Sequence, residues 1–104
     1  MPLNPDVKKQ YRALGHNLNP VVTISGNGVS EGVIEEINRA LEDHELIKIK
    51  LMISDREIRQ LAAREVCKKT RSELIQEIGK IALIFRAARQ PSPKLSNILR
   101  TISS

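Results

Sequence analysis

Aromatic side chains are nearly missing from this chain. Tyr11 and Phe85 are the only two rings in 104 residues, and there is no tryptophan. The core must therefore rest on Ile, Leu and Val, for which an apolar content of 40% is sufficient. The same scarcity excludes proteins that read single-stranded nucleic acid by stacking successive bases on several exposed rings. Cysteine is also scarce. Cys67 stands alone, so there is no disulfide framework and no Cys/His cluster with zinc spacing. No apolar run approaches the roughly 20 residues that span a bilayer. Met1-Pro2-Leu3-Asn4-Pro5 lacks the apolar stretch of a secretory leader. A cytoplasmic protein with no membrane partner is the expectation.

Negative charge is rare outside one segment. Glu31, Glu35, Glu36, Glu42, Asp43 and Glu45 crowd into residues 31–45, opposed there only by Arg39. The other residues hold 16 Lys/Arg against 6 Asp/Glu, within a total net charge of +5. One acidic helix and a basic remainder follow, and a basic remainder suits a polyanionic partner. Its plainer reading is a set of solvated helix faces.

The length fits one domain. Asn4-Pro5 reads as an N-cap followed by proline at the first helical position, opening a helix from Pro5 to Leu14 that Gly15 closes. Val7, Tyr11 and Leu14 share one face, leaving Lys8, Lys9 and Arg12 elsewhere. A strand over Val21–Ile24 leads into Ser25-Gly26-Asn27-Gly28, and Ser30 caps a second helix. Val33, Ile34, Ile37, Ala40 and Leu41 recur there at helical spacing. Leu46–Ile53 alternates: Ile47, Ile49, Leu51 and Ile53 on one face, Leu46, Lys48, Lys50 and Met52 on the other. Ser54 or Asp55 caps a third helix running to Lys69, with Ile58, Leu61, Ala62 and Val66 expected to be buried. Glu73–Ile78 and Ile81–Arg86 read as strands joined by Gly79-Lys80, a type II′ hairpin turn.

The fold class is therefore α/β in the order α-β-α-β-α-β-β, a mixed four-stranded sheet with helices mainly on one face. Lys48 and Lys50 point to an uncovered second face, because a sheet buried on both sides would not alternate in this way. The domain is expected over residues 1–88. Residues 89–104 form a basic tail, in which Gln90-Pro91-Ser92-Pro93-Lys94 has linker composition. Leu95, Ile98, Leu99 and Ile102 then recur at the spacing of a short helix.

The loop Ser25–Gly28 has two readings. Glycine and asparagine enter left-handed backbone cheaply, so it could be a tight strand-to-helix connection. Free backbone N–H groups beside a helix N-terminus also make a phosphate site. It is neither a P-loop nor a dinucleotide fingerprint. Catalysis has little support. Ser30 has no evident base, Cys67 lies in a helical pattern, and Glu35 and Glu36 diverge around their helix. His16 is a packing residue or a polar contact near the loop. His44 complements a helix C-terminus.

Several stretches together resemble the CRM domain (chloroplast RNA splicing and ribosome maturation), in its stand-alone bacterial YhbY-like form. They are His16-Asn17-Leu18-Asn19-Pro20-Val21-Val22, Gly28-Val29-Ser30-Glu31-Gly32, His44-Glu45-Leu46-Ile47-Lys48-Ile49-Lys50, Ile78-Gly79-Lys80 and Arg86. The resemblance covers residues 5–88. It implies a fold similar to the C-terminal domain of translation initiation factor three. It also implies RNA binding and association with precursors of the large ribosomal subunit. No small-molecule substrate, cofactor or metal is expected. The family's Gly-x-x-Gly loop falls on Ser25-Gly26-Asn27-Gly28, where Ser25 replaces the first glycine.

The expected RNA contacts are that loop with Ser30, then Lys8, Lys9, Arg12 and His16 beside it, and Lys80 in the hairpin turn. Lys48, Lys50 and Arg86 are expected to form a basic strip on the open sheet face. A different reading makes the chain a protein-interaction module that uses its acidic helix and amphipathic tail.

Overall fold

The computed structural model describes residues 3–99. The elements are α1 Pro5–Gly15, β1 Pro20–Ile24, α2 Glu31–His44, β2 Leu46–Leu51, α3 Arg56–Thr70, β3 Glu73–Ile78 and β4 Ile81–Phe85. The helix starts follow from their caps. Asn4 Oδ1 accepts from the Val7 N–H at 2.9 Å, Ser30 Oγ from Val33 at 3.2 Å, and Asp55 Oδ1 from Ile58 at 3.0 Å. Asp55, not Ser54, is thus the cap of α3. Gly79 has φ +56 while Lys80 stays in the ordinary region, as a type II′ turn requires.

The four strands form one sheet in the order β1-β2-β4-β3. β1 runs parallel to β2, and β4 lies antiparallel to both β2 and β3. The register Ile47↔Ile84 and Ile49↔Ala82 puts these residues on one face. There they are buried with Val22, Ile24, Leu51, and Ile37 and Leu41 of α2. The other face carries Leu46, Lys48 and Lys50 of β2 beside Phe85, Leu83 and Ile81 of β4.

This second face is not uncovered, contrary to expectation. α1 packs across its Leu46–Phe85 end, where Leu46, Ile75, Leu83 and Ile98 form a second core beneath Tyr11, Leu14 and Leu18. Four large apolar side chains there must be removed from water, and α1 supplies the cover. The Tyr11 and Phe85 rings lie 4.8 Å apart, centroid to centroid. Gly15 does not end α1 in a left-handed turn. It is buried within the last turn, and a Cβ there would lie 2.6 Å from Leu83 Cδ2.

The buried stripe of α3 also differs from expectation. Ala62, Ala63, Val66 and Thr70 are buried, whereas Ile58 and Leu61 are 57% and 63% exposed. At 3.6 residues per turn, Leu61 projects about 140° away from Val66. The inward position in the first turn belongs to Arg59, whose guanidinium donates to the Ile53 carbonyl at 2.9 Å. Two alanines let this helix approach the sheet closely.

After β4 the chain turns back over the α2–β2 corner. Ser96 is fully buried and Ile98 is 8% exposed. Asn97 donates through Nδ2 to the Leu46 carbonyl at 2.6 Å, and His44 Nδ1 meets the Leu95 carbonyl at 2.8 Å. Arg100 and Ile102 of the expected tail helix lie outside the described residues.

Candidate nucleic-acid interface

The exposed half of the second sheet face is built by strand alternation. Because Ile47, Ile49 and Leu51 face α2 and α3, Lys48 and Lys50 must face the other way. Lys48 is half-buried and Lys50 exposed. Lys48 Nζ donates to the His16 carbonyl oxygen at 3.1 Å. This places an ammonium at the C-terminal end of α1, where the helix dipole favours it. Lys50 is two residues further along, about 7 Å.

Beyond Lys50, this end of the sheet gathers three features. The first is the Ser25–Gly28 turn, closed by Gly28 N–H donating to the Ser25 carbonyl at 3.1 Å. It sits beside β2, since a Cβ on Gly26 would come within 3.5 Å of the Met52 carbonyl. The second is the N-terminus of α2 behind its Ser30 cap. The third is the Gly79-Lys80 turn, tied to β2 by the Leu51 N–H donating to the Lys80 carbonyl at 2.7 Å.

The backbone demand within the loop falls at Gly28, where φ is +99. Ser25 has an ordinary backbone, so its side chain is tolerated in place of glycine. Ser25, Gly26 and Asn27 are all exposed.

Arg86 does not join the strip. It turns to the helix-covered side, where its guanidinium donates to Asn38 Oδ1 and to the Thr70 carbonyl, both at 2.8 Å. Arg86 continues the alternation of β4, in which Ala82 and Ile84 face the helices and Leu83 and Phe85 share the face of Lys48, so the expected place on the open face runs against the strand's own parity. The N-terminal part of α1 is also remote from the loop. Lys8 Nζ lies 4.0 Å from Glu73 Oε2 at the start of β3, the opposite end of the sheet. Lys9 is exposed and Arg12 half-buried on the same helix. What α1 brings toward the lysines is its C-terminal end, His16.

The sequence pattern does not single out Gln76, Ile78, Ile81 and Leu83 as surface neighbours of Lys48. With His16 and Lys48 they line a groove of about 220 Å3 on this face. The pairing Gln76↔Leu83 and Ile78↔Ile81 sets them side by side. Alternation along the hairpin was the available signal. A bulge between Leu74 and Gln76 obscured it, because it shifts the face on which later residues fall.

Among the described residues, no activated nucleophile stands out. Burial pushes the Cys67 thiol up from its ordinary value; a Ser72 hydrogen bond acts against this, and Glu77 and Glu73 add to it. Among the described residues, no three His, Cys, Asp or Glu side chains gather so as to hold a metal ion, and no helix is long and apolar enough to cross a membrane.

Residues 3–86 match the CRS1/YhbY (CRM) domain. The chain is 47% identical over 100 residues to "Probable RNA-binding protein PA4753" of Pseudomonas aeruginosa, covering 96% of each. It is 40% identical over 93 residues to a protein of Haemophilus influenzae named "RNA-binding protein", covering 89% of this chain and 94% of that one. The solution structure of the hypothetical protein SAV1595 from Staphylococcus aureus superposes with a TM-score of 0.77 at 32% identity, covering 86% of this chain and 93% of that one.

Proposed function

The chain belongs to the CRS1/YhbY (CRM) domain family, and from that premise we propose that it is a non-catalytic RNA-binding protein acting on rRNA in precursors of the large ribosomal subunit. The observation that carries this reading is the placement of Lys48 and Lys50. They stand on the sheet face away from α2 and α3, in line with the turn Ser25–Gly28 and the start of α2.

In this reading the two ammonium groups neutralise phosphates, and His16 and Lys80 flank them. The loop lets RNA backbone approach closely at Gly26 and Asn27, where few side-chain atoms intervene. A phosphate there meets the positive end of the α2 dipole. Such contacts fix position and carry little sequence information. The two aromatic rings, half-buried against the second core and against each other, are too few to stack successive bases. Structured rRNA, recognised by shape and backbone, suits this surface better than single strands.

The acidic segment is a weaker candidate for partner binding than its composition suggests. Glu45 is buried, and Glu42 Oε1 accepts from the Arg89 backbone N–H at 2.9 Å. Crosslinking in cells, followed by sequencing of the bound RNA, tests the proposal. Enrichment of large-subunit rRNA is expected. Recovery of protein partners that survive nuclease, without rRNA, would contradict it.

A further inference from the structure

A second basic surface lies at the end of the sheet opposite the Ser25–Gly28 loop. The C-terminal half of α2, the end of α3 and the chain leaving β4 surround an open cleft of about 820 Å3. Arg39, Lys69, Arg71, Arg86 and Arg89 line it against one acid, Glu42. Because β4 runs antiparallel to β2, Arg86 emerges beside the start of β2 and not beside its end. The cleft also lies on the helix-covered side of the sheet, away from Lys48 and Lys50.

Arg86 is the fixed element of this cleft. Its Nη1 donates to Asn38 Oδ1 and the Thr70 carbonyl, and its Nη2 to the Asn38 carbonyl at 3.1 Å. A guanidinium carries five N–H donors in a rigid fork. Three bonds hold the group to the scaffold in the lining of the cleft.

The acids nearby offset only part of the cleft's charge. Glu42 Oε2 forms an ion pair with Arg86 Nη2 at 3.8 Å, one carboxylate against the five cations of the lining. Lys69 pairs with Glu65 at 3.0 Å, but both side chains are about half exposed. A surface pair of that kind holds weakly and yields to a competing anion. Arg71 ends α3 with φ 55, so an arginine occupies a backbone position that ordinarily favours glycine.

We propose that this cleft is a second phosphate-binding surface for RNA backbone, separate from the sheet face. The proposal rests on the reading of RNA as the partner. The protein then grips RNA at two ends and on two sides. An RNA segment occupying one surface must wrap the molecule, or offer a second strand, to reach the other.

The test uses the full chain and a structured rRNA fragment longer than the 39 Å longest extent of the molecule. Lys69→Glu/Arg89→Glu changes two exposed side chains and leaves Arg86 and its scaffold intact. Affinity is measured against salt concentration for this variant, the unaltered protein and Lys48→Glu/Lys50→Glu. The cleft variant is expected to bind at least tenfold more weakly, with a log–log salt slope shallower by about 2. Affinity and slope equal to those of the unaltered protein would overturn the cleft. That outcome is distinguishable from failure of the sheet-face reading, in which the Lys48/Lys50 variant is the one that loses nothing.

Discussion

Ser96 Oγ donates to Glu45 Oε1 at 2.6 Å across 51 positions of sequence, and both residues are buried. The Ala88 N–H serves the other carboxylate oxygen at 2.8 Å. Glu45 itself stands at the C-cap of α2 with φ 62, a conformation that glycine adopts more cheaply. The buried carboxylate ties the returning chain to the start of β2. Ser96→Ala removes one donor from it, together with the hydroxyl oxygen that accepts from the Ile98 and Leu99 N–H groups, and should cost about 1–3 kcal/mol. Urea unfolding followed by circular dichroism measures this; an unchanged midpoint would mean that the bonds of this hydroxyl contribute nothing.

Gly15 and Leu83 set how closely α1 approaches the sheet. Gly15→Ala places a methyl group 2.6 Å from a side chain that is 2% exposed and has little room to yield. The expected destabilisation is about 1–3 kcal/mol from overpacking. In a double-mutant cycle, Leu83→Ala should relieve part of it, so the two costs sum to more than that of the double variant. Additive costs would show that α1 shifts freely.

The Cys67 thiol, raised by burial from its ordinary value of 9.0, holds fewer thiolates at a given pH than an unfolded cysteine does. Alkylation by iodoacetamide at pH 8 should be slower in the native protein than in urea-unfolded protein. A raised native pKa gives stability that is whole below the unfolded value and is lost as pH rises through the native one. Cys67→Ala should therefore flatten the fall in stability above about pH 9. An equal fall in both proteins would assign the slope to other groups.

Two loop glycines should respond differently. Gly28 has φ +99, so Gly28→Ala strains the backbone and should cost about 1–3 kcal/mol of stability. Gly26 has ordinary space around it, so Gly26→Asp keeps the fold and places a carboxylate where phosphate is proposed. The melting temperature should separate the first variant from the second. Filter binding should show weakened RNA affinity for Gly26→Asp; full affinity there would make the loop a connector only.

Much of this was legible because local and global signals agree. Asn4, Ser30 and the Ser54-Asp55 pair each stand just before a run at helical spacing, where such side chains cap, and Ile47-Lys48-Ile49-Lys50 alternates whatever covers it. Side chains whose partners are remote in sequence were not legible. Arg86 looked like a free cation until Asn38 and Thr70 came beneath it. Leu61 looked like core because apolar spacing does not reveal that Arg59 and two alanines take the inward side of α3. Composition alone gives residues 90–94 a linker character, and nothing local announces that Ser96 enters the core.

The sheet face itself is tested by the salt dependence of rRNA affinity for Lys48→Glu/Lys50→Glu. Lys50 is exposed and Lys48 makes one surface bond to His16, so the variant should fold with a circular dichroism spectrum like that of the unaltered protein. Its affinity for a large-subunit rRNA fragment should fall at least tenfold, and its log–log salt slope should become shallower by about 2. A folded variant with undiminished affinity and an unchanged slope would contradict binding through this face.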